Sequence, residues 1–157
     1  MDIPFNSTTQ SAGETQSLGK VFGHAIVTDA LSGISRGEDA LVVCLWGELG
    51  SGKTTFVQGM AHGLGIDSRL LSPTFVIVRH YQIPADMSVV YHLDLYRIQG
   101  AESAHAVGFT DMIHEPRAVV VVEWPERLGT ALPERRIDIH FTIQNDSERN
   151  IIGSIHG

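Results

Sequence analysis

The chain has 157 residues, of which 43% are hydrophobic and 18% charged, and its formal net charge is −7. These values are typical of one globular domain, predicted over residues 1–157, and the acidic balance argues against a broad electrostatic grip on nucleic acid. No apolar run approaches the roughly 20 residues of a membrane span. A single cysteine, Cys44, excludes an internal disulfide, so we expect a cytoplasmic protein without a membrane partner.

The chain is predicted to begin with an irregular segment followed by a helix. Residues 1–12 are polar and are predicted to be irregular. Ser11 and Glu14 have the spacing of a capping box, which marks the start of a helix. Apolar residues then recur at helical spacing through about residue 31, and residues 32–39 contain two glycines and several charges, which predict a loop.

The middle of the chain predicts a buried strand, a helix and a hairpin. The apolar run 41–46 is followed, after a short loop, by an amphipathic helix that ends near Gly63 or Gly65. Two strand-like segments, 75–81 and 89–95, are separated by a turn and predict an antiparallel hairpin.

The last third predicts a weak helix and three strands. Residues 101–113 have a helical pattern that is interrupted at Gly108. The continuous apolar run 118–122 favours a strand covered on both faces, as in a central parallel sheet. Isoleucine and phenylalanine alternate with polar residues over 137–143, which predicts a half-buried strand, and a final strand is predicted over 150–155.

Residues 47–54 read Gly-Glu-Leu-Gly-Ser-Gly-Lys-Thr, a complete G-x-x-x-x-G-K-T phosphate loop between the predicted strand and helix. Its glycines let several backbone N–H groups point at one anion, and the helix N-terminus adds partial positive charge. Lys53 is expected to reach the β- and γ-phosphates, and the Thr54 hydroxyl to ligate Mg²⁺. The alternative is a chance match in which a glycine-rich turn merely joins strand to helix.

The predicted fold is therefore an α/β, single-domain P-loop NTPase fold. It is a three-layer sandwich with a central, mostly parallel sheet and antiparallel hairpin additions. Ligands of such sheets bind outside the carboxyl ends of the strands, and this rule selects the candidate acidic residues.

Two predicted strands end in an acidic residue. A P-loop ATPase needs a carboxylate near Thr54 to hold Mg²⁺ or its waters, and a group that orients the attacking water. Glu123 follows the buried run 118–122 and is the favoured metal ligand, although a surface acid at a strand end is the alternative. Asp94 lies at the end of the second hairpin strand, where pairing with Arg97 or exposure to solvent is an equally open interpretation.

The tetrapeptide Ser72-Pro73-Thr74-Phe75 precedes the hairpin. Pro73 stiffens the turn, so a hydroxyl such as that of Thr74 could sense the γ-phosphate as switch loops do. The residues alone favour an ordinary turn that leads into a strand.

Four motifs occur in a fixed order: Gly-Glu-Leu-Gly-Ser-Gly-Lys-Thr-Thr (47–55), Ser-Pro-Thr-Phe (72–75), His-Leu-Asp-Leu-Tyr-Arg (92–97) and Val-Glu-Trp-Pro-Glu (122–126). This combination resembles the TsaE family, also called YjeE, the bacterial ATPases of tRNA threonylcarbamoyladenosine biosynthesis. The resemblance extends from about Thr9 to the final strands. Residues 101–113 depart from it, with fewer acidic and leucine residues than is usual, which leaves the partner contacts open.

The resemblance implies a role for each site residue. Thr54 and Glu123 match Mg²⁺ ligands, Asp94 an acid needed for hydrolysis, and Thr74 a switch-like threonine. Trp124 matches an aromatic residue beside the nucleotide, although a core position is its alternative. Thr9 and Ser11 match positions near the adenine, and Arg149 lies near a C-terminal nucleotide contact. The implied phosphate-binding residues are Glu48, Leu49, Gly50, Ser51, Gly52, Lys53, Thr54 and Thr55.

The resemblance also implies a function. We expect an ATP- and Mg²⁺-dependent ATPase that acts on a complex of the TsaD and TsaB proteins, which modifies adenosine 37 of tRNAs reading ANN codons. The chain would contact tRNA only indirectly and would hydrolyse ATP slowly without its partners. Two alternatives remain open, a small P-loop kinase and a nucleotide-gated assembly module in which hydrolysis is incidental.

Overall fold

The computed structural model describes residues 1–31, 38–67, 77–86, 88–98 and 101–157. Its elements in chain order are β1 (Phe5–Thr9), α1 (Ala12–Val27), β2 (Leu41–Trp46), α2 (Lys53–Gly63), β3 (Val78–Gln82), β4 (Val89–Asp94), α3 (Ala101–Ala106), α4 (Phe109–Ile113), β5 (Val119–Glu123), a 3₁₀ segment (Pro125–Ala131), β6 (Arg136–Ile143) and β7 (Arg149–His156). The strands form one sheet in the order β1-β7-β6-β2-β5-β4-β3.

The centre of the sheet is parallel and its edges are antiparallel. β2 lies between β6 and β5 and is parallel to both, and β5 is also parallel to β4. β3 adds to β4 as an antiparallel hairpin strand, while β7 and β1 extend the other edge in antiparallel fashion. This arrangement confirms the predicted α/β fold. The carboxyl ends of β2, β4 and β5 therefore meet at one edge.

Helices cover both faces of the parallel centre. Alternate residues of β2 face opposite sides, so Val43 packs in a core with α1 and α2, whereas Cys44 packs in a second core with Phe109 and Leu128. Every residue of β5 is buried, as the uninterrupted apolar run predicts for a strand between two layers. Burial also raises the pKa of the Cys44 thiol, which fits a core residue rather than a nucleophile.

The helices α1 and α2 approach each other closely. Phe22 and Phe56 stack obliquely across the contact, with ring centroids 5.6 Å apart. A Cβ atom at Gly23 would collide with the Met60 carbonyl, and one at Gly59 would collide with the Gln16 carbonyl. Glycine at these positions is what allows α2, which begins at the phosphate loop, to lie directly on α1.

The prediction that residues 1–12 are irregular is wrong for β1. Its backbone pairs with β7, with Phe5 opposite Gly153 and Thr9 opposite Arg149. An edge strand is stabilised largely by backbone hydrogen bonds to its neighbour, so its polar sequence carries little period-two signal. The pairing partners lie at least 140 residues away in the chain, so local sequence patterns give no information about the pairing.

The other predicted elements are close to the observed ones. The helical pattern over 101–113 is divided at Gly108, whose φ of 78° separates α3 from α4. The hairpin is confirmed, but β3 ends at Gln82, which was predicted to lie in the turn. α1 ends at Val27 and not near residue 31.

Candidate functional site

The loop 47–54 joins the end of β2 to the start of α2. Gly47, Gly50 and Gly52 have φ angles of 151°, 76° and 102°, which favour glycine. Gly52 is the N-cap of α2 and, as a glycine, has no side chain with which to cap this helix end. The loop therefore combines turns that only glycine adopts readily with a helix N-terminus suited to an anion.

Lys53 is the first residue of α2, and its side chain reaches back onto the loop. Its ammonium group donates to the carbonyl oxygens of Gly47 at 2.6 Å and Glu48 at 2.8 Å. The same Nζ is 4.3 Å from the ring centroid of Trp124. Burial lowers the pKa of Lys53, and the nearby carboxylates of Glu123, Glu126 and Asp94 oppose this shift. The ammonium group of Lys53 is thus held against the phosphate loop.

Thr54 and Glu123 meet across the sheet edge. Thr54 Oγ1 lies 3.2 Å from each carboxylate oxygen of Glu123, which is the last residue of β5 and is 3% exposed. Within the described ranges, no group of three or more His, Cys, Asp or Glu side chains could hold a metal ion. A cation here would depend on these two oxygen donors together with phosphate and water, a donor set that suits Mg²⁺.

Asp94 lies beside this pair. It ends β4 and is the register partner of Glu123 on β5. Its carboxylate accepts from the backbone N–H of Tyr96 at 3.0 Å. Both acids chosen from strand ends are therefore brought to the same edge as the phosphate loop.

A cavity of about 270 Å³ contains these groups. It is bordered by the loop, by both strand-end acids and by the residues that follow them. Its lining consists of Leu49, Gly50, Ser51, Gly52, Lys53, Thr54, Thr55, Asp94, Tyr96, Arg97, Glu123 and Trp124. A larger cavity of about 400 Å³ lies near Leu41 and Arg136. These residues begin the parallel strands β2 and β6, so this cavity lies at the edge of the sheet opposite the phosphate loop.

Trp124 packs against the core and also borders the cavity. Its backbone is left-handed, with φ 63° and ψ 50°. Its ring is half-buried against the second core and also lies beside Lys53 and 5.0 Å from the Tyr96 ring centroid. The tryptophan is a core residue that also borders the cavity.

A second cavity beside the phosphate loop, of about 360 Å³, lies on the other side of the loop. Arg149 Nη2 donates to the Gly50 carbonyl at 3.2 Å and borders this cavity. Ser11 also borders it, although its Oγ accepts from Glu14 N at 3.2 Å as the predicted cap of α1. The Glu14 carboxylate accepts from Gln10 N, one residue before the expected position of a capping box. Ser11 is therefore compatible with both of its predicted roles.

Thr9 is not in the lining of that cavity. It is 4% exposed, and its hydroxyl shares a hydrogen bond of 2.8 Å with Thr15 Oγ1. Of these two threonines, Thr15 borders the cavity, and Thr9 lies behind it. Sequence reasoning missed Thr15, although its place four residues after Ser11 on α1 puts it on the same helix face.

His92 was also missed. Its Nε2 lies 2.8 Å from Glu123 Oε1, and its side chain is 1% exposed. The available signal was the period of two along β4, which places His92 on the same face as Asp94.

Thr74 and Ser51 are two further residues of the predicted site. Thr74 lies outside the described residues. Ser51 is 1% exposed, and its Oγ has no hydrogen-bond partner among the described residues.

Comparisons with known proteins find relatives that cover most of this chain. The family model described as Threonylcarbamoyl adenosine biosynthesis protein TsaE matches residues 9–151. The chain is 34% identical over 143 residues to a tRNA threonylcarbamoyladenosine biosynthesis protein TsaE of Treponema pallidum, covering 91% of this chain and 95% of that one. It is 37% identical over 114 residues to the protein of the same name from Haemophilus influenzae, covering 73% and 70% of the two chains.

A solved structure is also similar. The crystal structure of YdiB from Bacillus subtilis matches with a TM-score of 0.73 and 28% identity, over 98% of this chain and 86% of that one. None of the helices in the described ranges has the length and apolar character needed to cross a membrane. On the family match over residues 9–151 and the relatives' identity, the chain belongs to the TsaE family of threonylcarbamoyl adenosine biosynthesis proteins.

Proposed function

We propose that this chain is a Mg²⁺-dependent ATPase that takes part in threonylcarbamoyladenosine modification of tRNA. The observation that carries the proposal is the contact of Thr54 with Glu123, 3.2 Å apart, within a cavity that also contains Lys53 and Asp94. The loop, the hydroxyl and the strand-end acids are the parts that a P-loop ATPase requires.

The nucleotide would lie across the loop. Its phosphates would contact the backbone of residues 48–55 and the ammonium group of Lys53, which neutralises their charge. Its base would extend towards the second cavity, where Ser11, Thr15 and Arg149 supply polar groups. Thr9 would act there only by holding Thr15.

Thr54 Oγ1 and the Glu123 carboxylate would hold Mg²⁺. The bound cation would supply positive charge to the β- and γ-phosphate oxygens. Thr54 Oγ1 now contacts both oxygens of Glu123, and a hydroxyl that donates its proton to the carboxylate would keep lone pairs for the cation.

Asp94 would orient the attacking water or accept its proton. It is next to Glu123 in the sheet and borders the same cavity, but it is not in hydrogen-bond contact with Thr54 in any described interaction. Trp124 would cover Lys53 from the solvent side, and Thr74 would sense the γ-phosphate.

The partners would be the TsaD and TsaB proteins. A P-loop NTPase that lacks an arginine finger hydrolyses slowly, and such a finger is worth on the order of 10³–10⁵ in rate. The arginine finger would come either from this chain or from a partner. In this chain the candidate is Arg97, which borders the cavity and is exposed, and a partner would order it. The net charge of −7 supports indirect rather than direct contact with tRNA.

The test is ATP hydrolysis by the purified chain, with and without TsaD and TsaB. We expect slow Mg²⁺-dependent phosphate release that the partners accelerate. Equal turnover with and without the partners would contradict the partner assignment, and transfer of phosphate to a small acceptor would favour the kinase alternative.

A further inference from the structure

We propose that His92 is a positioning residue that holds one oxygen of the Glu123 carboxylate and so directs the other towards the metal. This inference rests on the proposed Mg²⁺ site. His92 Nε2 lies 2.8 Å from Glu123 Oε1, and both side chains are almost completely buried. In the described part of the chain, Oε1 is shared between His92 and Thr54, whereas Oε2 contacts Thr54 alone.

The sheet fixes the histidine ring relative to the acid. His92 is paired with Val121, and Asp94 is paired with Glu123. The histidine therefore lies two residues before the strand ends that carry these acids. The ring borders a small void of about 10 Å³, whose lining is apolar apart from His92 and Tyr81. A void of this size has at most the volume needed for one water molecule. The 2.8 Å distance between Nε2 and Oε1 means that the ring contacts Glu123 directly.

The hydrogen bond determines which ring nitrogen carries the proton. A carboxylate only accepts, so Nε2 is the donor to Glu123. Nδ1 is buried and has no partner among the described residues. A buried polar atom without a partner is unfavourable, and an apolar residue would fill this space without that cost. The unpaired Nδ1 therefore argues that the contact of Nε2 with Glu123 is the reason for a histidine at this position.

Fixing one oxygen reduces the number of orientations open to the carboxylate. Partners behind the ligands of metal sites orient those ligands, and their loss typically lowers metal affinity or activity about 10–100-fold. The predicted effect of losing His92 is therefore specific to the metal and should not extend to nucleotide contacts that need no metal.

The experiment measures binding of a non-hydrolysable ATP analogue by calorimetry across a Mg²⁺ titration and in EDTA. We expect His92→Leu to raise the Mg²⁺ concentration for half-maximal effect about 10–100-fold and to leave binding in EDTA unchanged. His92→Gln, whose amide nitrogen can reach the Nε2 position, should restore most of the Mg²⁺ response. His92→Asn keeps an amide that is too short and should behave like His92→Leu.

Val90→Ala is the matched control. Val90 is buried on the same strand and face as His92 and borders the same void, but it does not contact Glu123 in any described interaction. It should lower thermal stability and leave the Mg²⁺ response unchanged. If His92→Leu does not fold, His92→Asn takes its place against His92→Gln.

The outcomes separate this inference from the proposed function. A wild-type chain whose analogue binding does not respond to Mg²⁺ would contradict the metal site and the inference with it. A wild-type response that His92→Leu and His92→Asn leave unchanged would contradict only the positioning role. Equal weakening with and without Mg²⁺, or no recovery in His92→Gln, would assign His92 a purely structural role.

Discussion

Thr54 Oγ1 lies 3.2 Å from both carboxylate oxygens of Glu123, although the two residues are 69 positions apart in the chain. Thr54 is in the first turn of α2 and Glu123 is the last residue of β5, and β2 and β5 are parallel neighbours. This contact brings the phosphate loop and a strand-end acid into one site.

Glu123→Gln should abolish most Mg²⁺-dependent hydrolysis. The amide keeps the size of the side chain but removes the charge that holds the cation. A bound cation stabilises the transition state by several kcal/mol, so we expect the rate of hydrolysis to fall on the order of 10²-fold or more. Phosphate release measures the effect. Glu134→Gln, an exposed site near the opposite end of the sheet, is the control, and an equal loss in both variants would contradict the role of Glu123.

Asp94→Asn should separate hydrolysis from nucleotide binding. A side chain that orients water or accepts its proton contributes about 10²–10⁴-fold in rate, whereas binding of ATP should change little. Asp111→Asn, exposed on α4, is the control. If Asp94→Asn is inactive in hydrolysis but still supports tRNA modification, hydrolysis is dispensable and the chain is a nucleotide-gated assembly module.

Arg149→Ala should weaken binding of ATP by about fivefold. It would remove the hydrogen bond that Arg149 is proposed to offer the base in the second cavity, and such a bond is worth about 1 kcal/mol. Inorganic tripolyphosphate should bind equally well to both proteins if that cavity receives the base. Arg149 Nη1 also donates to the Asn145 carbonyl at 2.8 Å, so a thermal melt must accompany the measurement. Weakening of tripolyphosphate to the same extent would place Arg149 at the phosphates instead.

Gly59→Ala should destabilise the fold. Its Cβ would meet the Gln16 carbonyl of α1, and overpacking of this kind costs about 1–3 kcal/mol in the free energy of unfolding. Gly13→Ala is the matched control, because the nearest atom to its Cβ would be Ser11 Oγ at 3.8 Å. Urea unfolding should show that Gly13→Ala is neutral or slightly stabilising, and equal destabilisation would contradict the close helix contact.

The stability contributed by Tyr91 should disappear at high pH. Its hydroxyl donates to Glu115 Oε2 at 2.6 Å, and this bond, with burial and the charge of Glu115, raises the pKa of Tyr91 from 10.0 to about 12. Because the folded pKa exceeds the unfolded one, the contribution is complete below about pH 10 and is lost as the pH rises to about 12. The difference in unfolding free energy between wild type and Tyr91→Phe should shrink over this range, and a constant difference would contradict the bond.

The phosphate loop and the central strands were predictable from the sequence because their signals are local. Residues 47–54 are contiguous, and the run 118–122 ends at Glu123, so the rule that ligands bind at the carboxyl ends of strands was enough to select this acid. The same rule selected Asp94, although pattern alone left its role open, and the family resemblance favoured it. The switch role of Thr74 stays a prediction.

Tertiary structure decided what depends on pairing between distant segments. The polar residues of β1 become a strand only because β7 offers its backbone, and Thr9 is removed from the cavity because that pairing buries it against Thr15. His92 acquires its contact with Glu123 only when β4 lies beside β5. The sequence is enough to identify the phosphate loop and the residues at the ends of strands. The register between strands determines which buried side chains contact those residues, and no local pattern encodes that register.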